Sequence, residues 1–176
     1  DRYSAGGAVS IRGVSTIEEC VFIGNKAIQG GAVWGASGTT ITRCTFLGNE
    51  SLTSTGVGGI ALDAGGTVNA VILANTLQGQ ACSGSSVTWT CSNLFGNALG
   101  DDLCGIDGGN NLQLDAEFCA VDPTTSLNVD IQSDSPCAAG VHPEGADCGL
   151  IGAGAVACGA VSAQPSSWSA VKRMFR

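Results

Sequence analysis

The phrase Gly6-Gly7-Ala8-Val9 returns as Gly30-Gly31-Ala32-Val33, and Cys20-Val21-Phe22-Ile23-Gly24-Asn25 returns as Cys44-Thr45-Phe46-Leu47-Gly48-Asn49, both after 24 residues. Two unrelated phrases that share one period mark a stacked-repeat chain, in which no unit can bury its own apolar side and each must lie on a neighbour. The period drifts without stopping. Gly58-Gly59-Ile60-Ala61-Leu62 restarts the first phrase after an insertion at 51–56, Ala70-Val71-Ile72-Leu73-Ala74-Asn75 restates the second, and Asn93-Leu94-Phe95-Gly96-Asn97 is a weaker fourth copy. Each phrase is short, β-branched or aromatic, and bounded by glycine or asparagine, so it reads as strands joined by turns.

Stacking such coils at a sheet spacing of about 4.8 Å brings equivalent positions together. The phrases then predict one internal ladder of Phe22, Phe46 and Ile72, and others from Ile11, Val33 and Ile60 to Leu62. Asn25, Asn49, Asn75 and Asn97 are expected to form an asparagine ladder at a turn, with a structural role. The paired glycines mark places where the backbone takes positive φ or passes close to another strand.

The chain has 27 glycines and only 12% charged residues, and 176 residues suffice for one long core. Nine cysteines point to an oxidising compartment. No Cys-x-x-Cys occurs and the single histidine, His142, lies away from any cysteine pair, so neither a metal site nor a cofactor is expected. Cys20 and Cys44, one period apart, fit either a disulfide or an unbonded core ladder. Cys82 and Cys91 flank what reads as a short excursion closed by a bridge. Cys104, Cys119, Cys137, Cys148 and Cys158 crowd the last third, at least three disulfides are expected, and an odd count leaves at least one thiol unpaired or bonded outside the chain.

Residues 44–171 hold no lysine or arginine and twelve acidic side chains, which argues against nucleic acid as a partner. No apolar run is long enough to span a membrane. Trp168, Val171 and Phe175, with Lys172, Arg173 and Arg176, suggest a short amphipathic helix that serves as a cap, a sorting tail or a contact with the next subunit. The chain opens at Asp1 on a repeat phrase with no capping segment, as in a processed protein or a piece of a longer one. An uncapped coil invites axial stacking of another copy or of further N-terminal coils.

From Cys91 onward, Gly100-Asp101-Asp102, Leu114-Asp115-Ala116-Glu117-Phe118-Cys119, Ser133-Asp134-Ser135-Pro136-Cys137 and Cys148-Gly149-Leu150-Ile151-Gly152 follow one another. This order resembles the closing coils of bacterial secreted right-handed parallel β-helix repeat proteins, although Asp115-Ala116 stands where that family usually has Asp-Pro. The resemblance implies a secreted, extracellular or cell-surface protein and no particular reaction. The expected fold is therefore an all-β right-handed parallel β-helix with coils at 1–117, disulfide-rich terminal coils or a cap at 118–160, and a tail at 161–176.

Gly100-Asp101-Asp102-Leu103-Cys104 is also similar to the stretch where polygalacturonases keep two carboxylates, and two carboxylates would be needed to flank a glycosidic bond. The other motifs of that family are absent, and as basic residues for a lyase the notable arginines of the body are Arg12 and Arg43 in its first coils. A glycan-binding face is a further reading, with Trp34 and Trp89 as stacking candidates. Calcium would want spaced acidic motifs that the chain lacks. The reading favoured is a non-catalytic, disulfide-stiffened solenoid with a structural or adhesive role, a surface or filament building block.

Overall fold

A computed structural model of the protein describes residues 5–36, 38–120, 125 and 127–159. The chain winds as a parallel β-solenoid with turns of about 24 residues. The first coil carries β1 (Val9–Ile11), β2 (Ser15–Glu18), β3 (Val21–Ile23) and β4 (Lys26–Ala27). The second repeats them as β5 (Val33–Gly35), β6 (Thr39–Thr42), β7 (Thr45–Leu47) and β8 (Glu50–Ser51). The third holds β9 (Val57–Leu62), β10 (Gly66–Asn69) and β11 (Ile72–Ala74), the fourth β12 (Gln80–Ser83), β13 (Val87–Thr90) and β14 (Asn93–Phe95). A fifth adds β15 (Ile106–Asp107) and a bridge at Leu112, and β16 (Ile131–Gln132) pairs with β17 (Val156–Cys158) farther on. Every strand pair is parallel, in sheets ordered β1-β5-β9-β12, β2-β6-β10-β13-β15 and β3-β7-β11-β14.

The interior is filled by one residue in two along each strand, as the pleat requires. Ile17, Ile41, Val68 and Trp89 form one column, Phe22, Phe46, Leu73 and Leu94 another, all in a single buried cluster. Phe22 stacks on Phe46 at a centroid distance of 4.6 Å. Phe46 therefore lies between Phe22 and Leu73, not between Phe22 and Ile72; Ile72 opposes Thr45 and faces away from this core. Similarly, Val33 is in register with Val9 and Ile60, while Ile11 aligns with Gly35 and Leu62.

The one-residue shift comes from the third coil, whose pairing offset is 27 residues where the preceding one is 24. An alignment on asparagine puts Asn75 under Asn49. The structure puts Asn75 under Gly48 instead, since Gly24 N donates to Leu47 O, Gly48 N to Ala74 O and Asn75 N to Phe95 O. Gly24, Gly48, Asn75 and Gly96 all have positive φ (66°, 61°, 54° and 71°), and asparagine is the side chain that tolerates this region best. The asparagine ladder thus runs Asn25, Asn49, Thr76, Asn97. Asn49 Oδ1 accepts from Asn25 N at 2.9 Å and Asn97 Oδ1 from Thr76 N at 3.0 Å, while Asn49 Nδ2 and Asn97 Nδ2 donate back to Phe22 O and Leu73 O.

A second corner, between the second and third sheets, holds another left-handed column: Glu19, Arg43, Ala70, Cys91 and Asn110, with φ from 47° to 59°. In the second, fourth and fifth coils the next residue lends a side chain to the coil before it. Cys44 Sγ accepts from Cys20 N at 3.5 Å, Ser92 Oγ from Val71 N at 3.2 Å and Asn111 Oδ1 from Ser92 N at 3.0 Å. Thiol, hydroxyl and amide do the same work. In the Gly-Gly phrase the two positions differ: Gly6 and Gly30 take φ of 72° and 59°. A Cβ on Gly7 would run into Gly31 O, and one on Gly31 into Gly58 O and Glu50 O.

The segment after the fifth coil returns along the side of the solenoid. Gly152 N donates to Ala70 O at 2.8 Å and Ala153 N to Thr45 Oγ1 at 2.9 Å. Val129, Ile131, Ala138 and Ile151 pack on Leu47, Ile72 and Ala74, the outward residues of the third sheet, making a second core. This cover explains why β7 and β11 are buried on both faces.

Phe46→Ala removes the central rung of the Phe22 column, which is fully buried. It is expected to cost about 3 to 5 kcal/mol in urea unfolding, as a large-to-small core change does; an unchanged midpoint would contradict the column.

Candidate functional site

Three disulfides lock the C-terminal half. Cys82 bonds Cys104, Cys91 bonds Cys148 and Cys119 bonds Cys158, with Cα separations of 5.7, 5.5 and 6.0 Å. The expected Cys82–Cys91 bridge is not formed. The residues between them are not an excursion but a corner followed by β13, one whole side of a coil, so the two cysteines sit on different faces. Cys82 points into the core and meets the loop that folds over β12, whereas Cys91 at its corner ties down the returning segment. Cys20, Cys44 and Cys137 are free. Cys20 and Cys44 are therefore an unbonded ladder.

The free thiols differ in environment. Cys20 is exposed. Burial first of all pushes the Cys44 thiol from its ordinary 9.0 up to about 11, and does the same to Cys137, against which the Asn93 Nδ2 hydrogen bond at 3.2 Å pulls the other way. These groups keep their protons in the folded chain above the pH at which an unfolded chain releases them.

The Gly100-Asp101-Asp102 stretch divides its two carboxylates. Asp101 accepts from Gly96 N (3.0 Å), Asn97 N (2.9 Å) and Asn97 Nδ2 (2.8 Å), so it closes the turn after β14. Asp102 is exposed and lines a cleft of about 400 Å³ between Gln80–Ser85 and the loop 99–105, beside the Cys82–Cys104 bond. Adjacent carboxylates with one committed to a turn are not a facing acid and base pair.

The two tryptophans also part. Trp89 is 1% exposed, its Nε1 donating to Cys104 O at 2.9 Å, and it plugs the end of its core column rather than offering a stacking face. Trp34 is half-buried and donates to Asp63 Oδ2 at 3.1 Å. His142 is buried in a loop, where Nδ1 accepts from Glu144 N and Nε2 faces Asn110 O at 3.1 Å, a structural tether. Near β16, Glu117 has its pKa raised by burial and then by Asp134 and Asp115. Among the described residues no cluster of His, Cys, Asp or Glu is placed to hold a metal ion, and no helix is long and apolar enough to cross a membrane.

What the repeat phrases did not reveal is the character of the two ends. At the first coil β1, β2, β3 and β4 have a strand neighbour on one side only among the described residues, and Val14 and Val21 are 85% and 44% exposed. At the last coil Leu99, Ile106 and Leu114 are exposed at 62%, 53% and 43%. Arg12, Lys26 and Arg43, the basic residues among those described, belong to the first two coils, whereas Asp101, Asp102, Asp107 and Asp115 lie at the other end. Lys26 pairs with Glu50, and Arg43 with Glu18 and Glu19. Trp168, Lys172, Arg173, Phe175 and Arg176, named as assembly candidates, lie outside the described residues. Comparison with protein families, curated proteins and solved structures finds no match.

Native alkylation should mark Cys20 and spare Cys44 and Cys137; label on either buried thiol before unfolding would contradict their burial. Because both buried thiols have folded pKa values above the ordinary 9.0, the folded chain binds more protons at alkaline pH. Their contribution is intact below about pH 9 and is lost as pH rises towards about 11. Urea midpoints measured across that range should fall, and should fall less in a Cys44→Ser variant.

Proposed function

We propose that this protein is a non-catalytic, extracellular structural or adhesive solenoid, a surface or filament building block whose copies assemble head to tail. The observation that carries this reading is that, among the described residues, β1, β2, β3 and β4 at one end and β15 at the other have a strand neighbour on one side only. Edges of this kind pair with another chain unless covered, and a contact between two different faces repeats without closing. The uneven charge favours the same direction, because the later coils are acidic and Arg12 in the first coil has no ion-pair partner among the described residues. Three disulfides suit an oxidising extracellular setting, and the likeness of the closing motifs to bacterial secreted β-helix proteins supports a surface role. Coils belonging to the same polypeptide upstream would use the first-coil edge in the same manner, and a glycan-facing role would draw on the cleft beside Asp102.

Negative-stain microscopy and sedimentation over a concentration series test the reading. Axially stacked oligomers that shorten as salt rises are expected, since exposed charge pairs are screened; removing residues 166–176, with Trp168 and the Lys172, Arg173 and Arg176 charges, should weaken them. A strictly monomeric protein would overturn it, and release of reducing ends from acidic polysaccharides would favour polygalacturonase-like cleavage instead.

A further inference from the structure

We infer that the joint between copies continues the solenoid's own ladder register, so that Arg12 of one copy comes to lie against the Asp102 loop of the copy before it. The inference rests on the head-to-tail reading and specifies the contact within it. Its first support is directional. At the corner after the second sheet, the side chains of the second, fourth and fifth coils accept a backbone N–H from the coil before: Cys44 from Cys20, Ser92 from Val71, Asn111 from Ser92; the third coil has Val71 there, which cannot accept. Cys20 Sγ donates to Glu18 O at 3.1 Å and, among the described residues, takes no N–H. Asn111 is the last member of that column, so a copy stacked in register brings its own Cys20 over the Asn111 backbone of its neighbour.

At the asparagine corner the same polarity holds. Asn49 and Asn97 send Nδ2 to a carbonyl of the coil before, Phe22 O and Leu73 O, whereas the Asn25 amide turns to Asn49 Oδ1 at 3.0 Å. The first coil thus carries the ladder groups of an internal coil.

The second support is charge at a fixed place. The pairs Ile11↔Gly35 and Gly35↔Leu62, continued one residue on, align Arg12, Ala36 and Asp63, and Ala61↔Ser83 extends that line to Ser85. The loop 99–105 folds over Gln80–Ser85 and carries exposed Asp102. Arg12 is exposed and has no ion-pair partner among the described residues. Stacking in register therefore sets the unpaired cation of one end against an uncommitted carboxylate of the other.

The test is a charge exchange on two exposed side chains, neither of which holds the fold. Arg12→Glu and Asp102→Arg should each weaken association by about five- to tenfold in sedimentation at low salt, and the double variant should return to within about twofold of the wild type. In the unaltered protein, maleimide labelling of Cys20 should slow as concentration raises the assembled fraction, while Cys44 and Cys137 stay unlabelled. Assemblies that form normally in both single variants, with Cys20 still open, would overturn the register and leave head-to-tail stacking standing. Cys20-to-Cys20 cross-linked dimers would replace it with a joint between two first coils. A wild type that never associates removes the reading and the inference together.

Discussion

Everything in this molecule depends on the alignment of one coil's backbone with the next. Each strand is only two to six residues long, too short to stand alone, and is held by the parallel strand or strands of the adjoining coils. The corners decide the alignment, because there the chain must take positive φ and still satisfy its buried amides. The left-handed columns meet the first need, and the side chains of Asn49, Asn97, Cys44, Ser92 and Asn111 meet the second by bonding to the preceding coil. A buried amide without such a partner costs about 1 to 3 kcal/mol, so a slipped coil would lose several interactions at once.

The same alignment gives the molecule a polarity. Its ladder side chains at Asn49 and Asn97 point their hydrogen bonds towards the first coil, the basic residues among those described lie in the first two coils, and its later coils are acidic and clamped by disulfides. The Cys91–Cys148 bond closes a separation of 57 residues, worth about 4 kcal/mol in the chain-entropy estimate, and fastens the returning segment over the third sheet. That segment turns the outward face of the third sheet, which would otherwise be solvated, into a second core.

Much of this was legible in the chain because a repeat writes its fold several times. The period, the strand phrases and the two roles of the Gly-Gly pair were readable, since Gly7 and Gly31 are needed where no Cβ fits. The partners of Phe46 and the place of Asn75 were not. Asparagine suits both a ladder that needs an amide and a turn that needs positive φ, and a three-residue insertion in the third coil moved Asn75 from one to the other. The disulfides escaped for a related reason: spacing along the chain does not say which face of a coil a cysteine occupies, and Cys82 and Cys91 occupy different ones. The roles of Asp101 and Trp89 were hidden likewise, as both are set by a loop folding over a coil end.

The register at Asn75 is the most direct test of this account. Thermal unfolding of Asn75→Gly separates the two positions an asparagine can hold here. In the left-handed column glycine is the ordinary occupant, so the variant should melt at or above the wild-type temperature. A loss of about 2 kcal/mol or more, as expected if a buried ladder amide had been removed, would contradict the arrangement of coils on which the fold, the polarity and the proposed joint all rest.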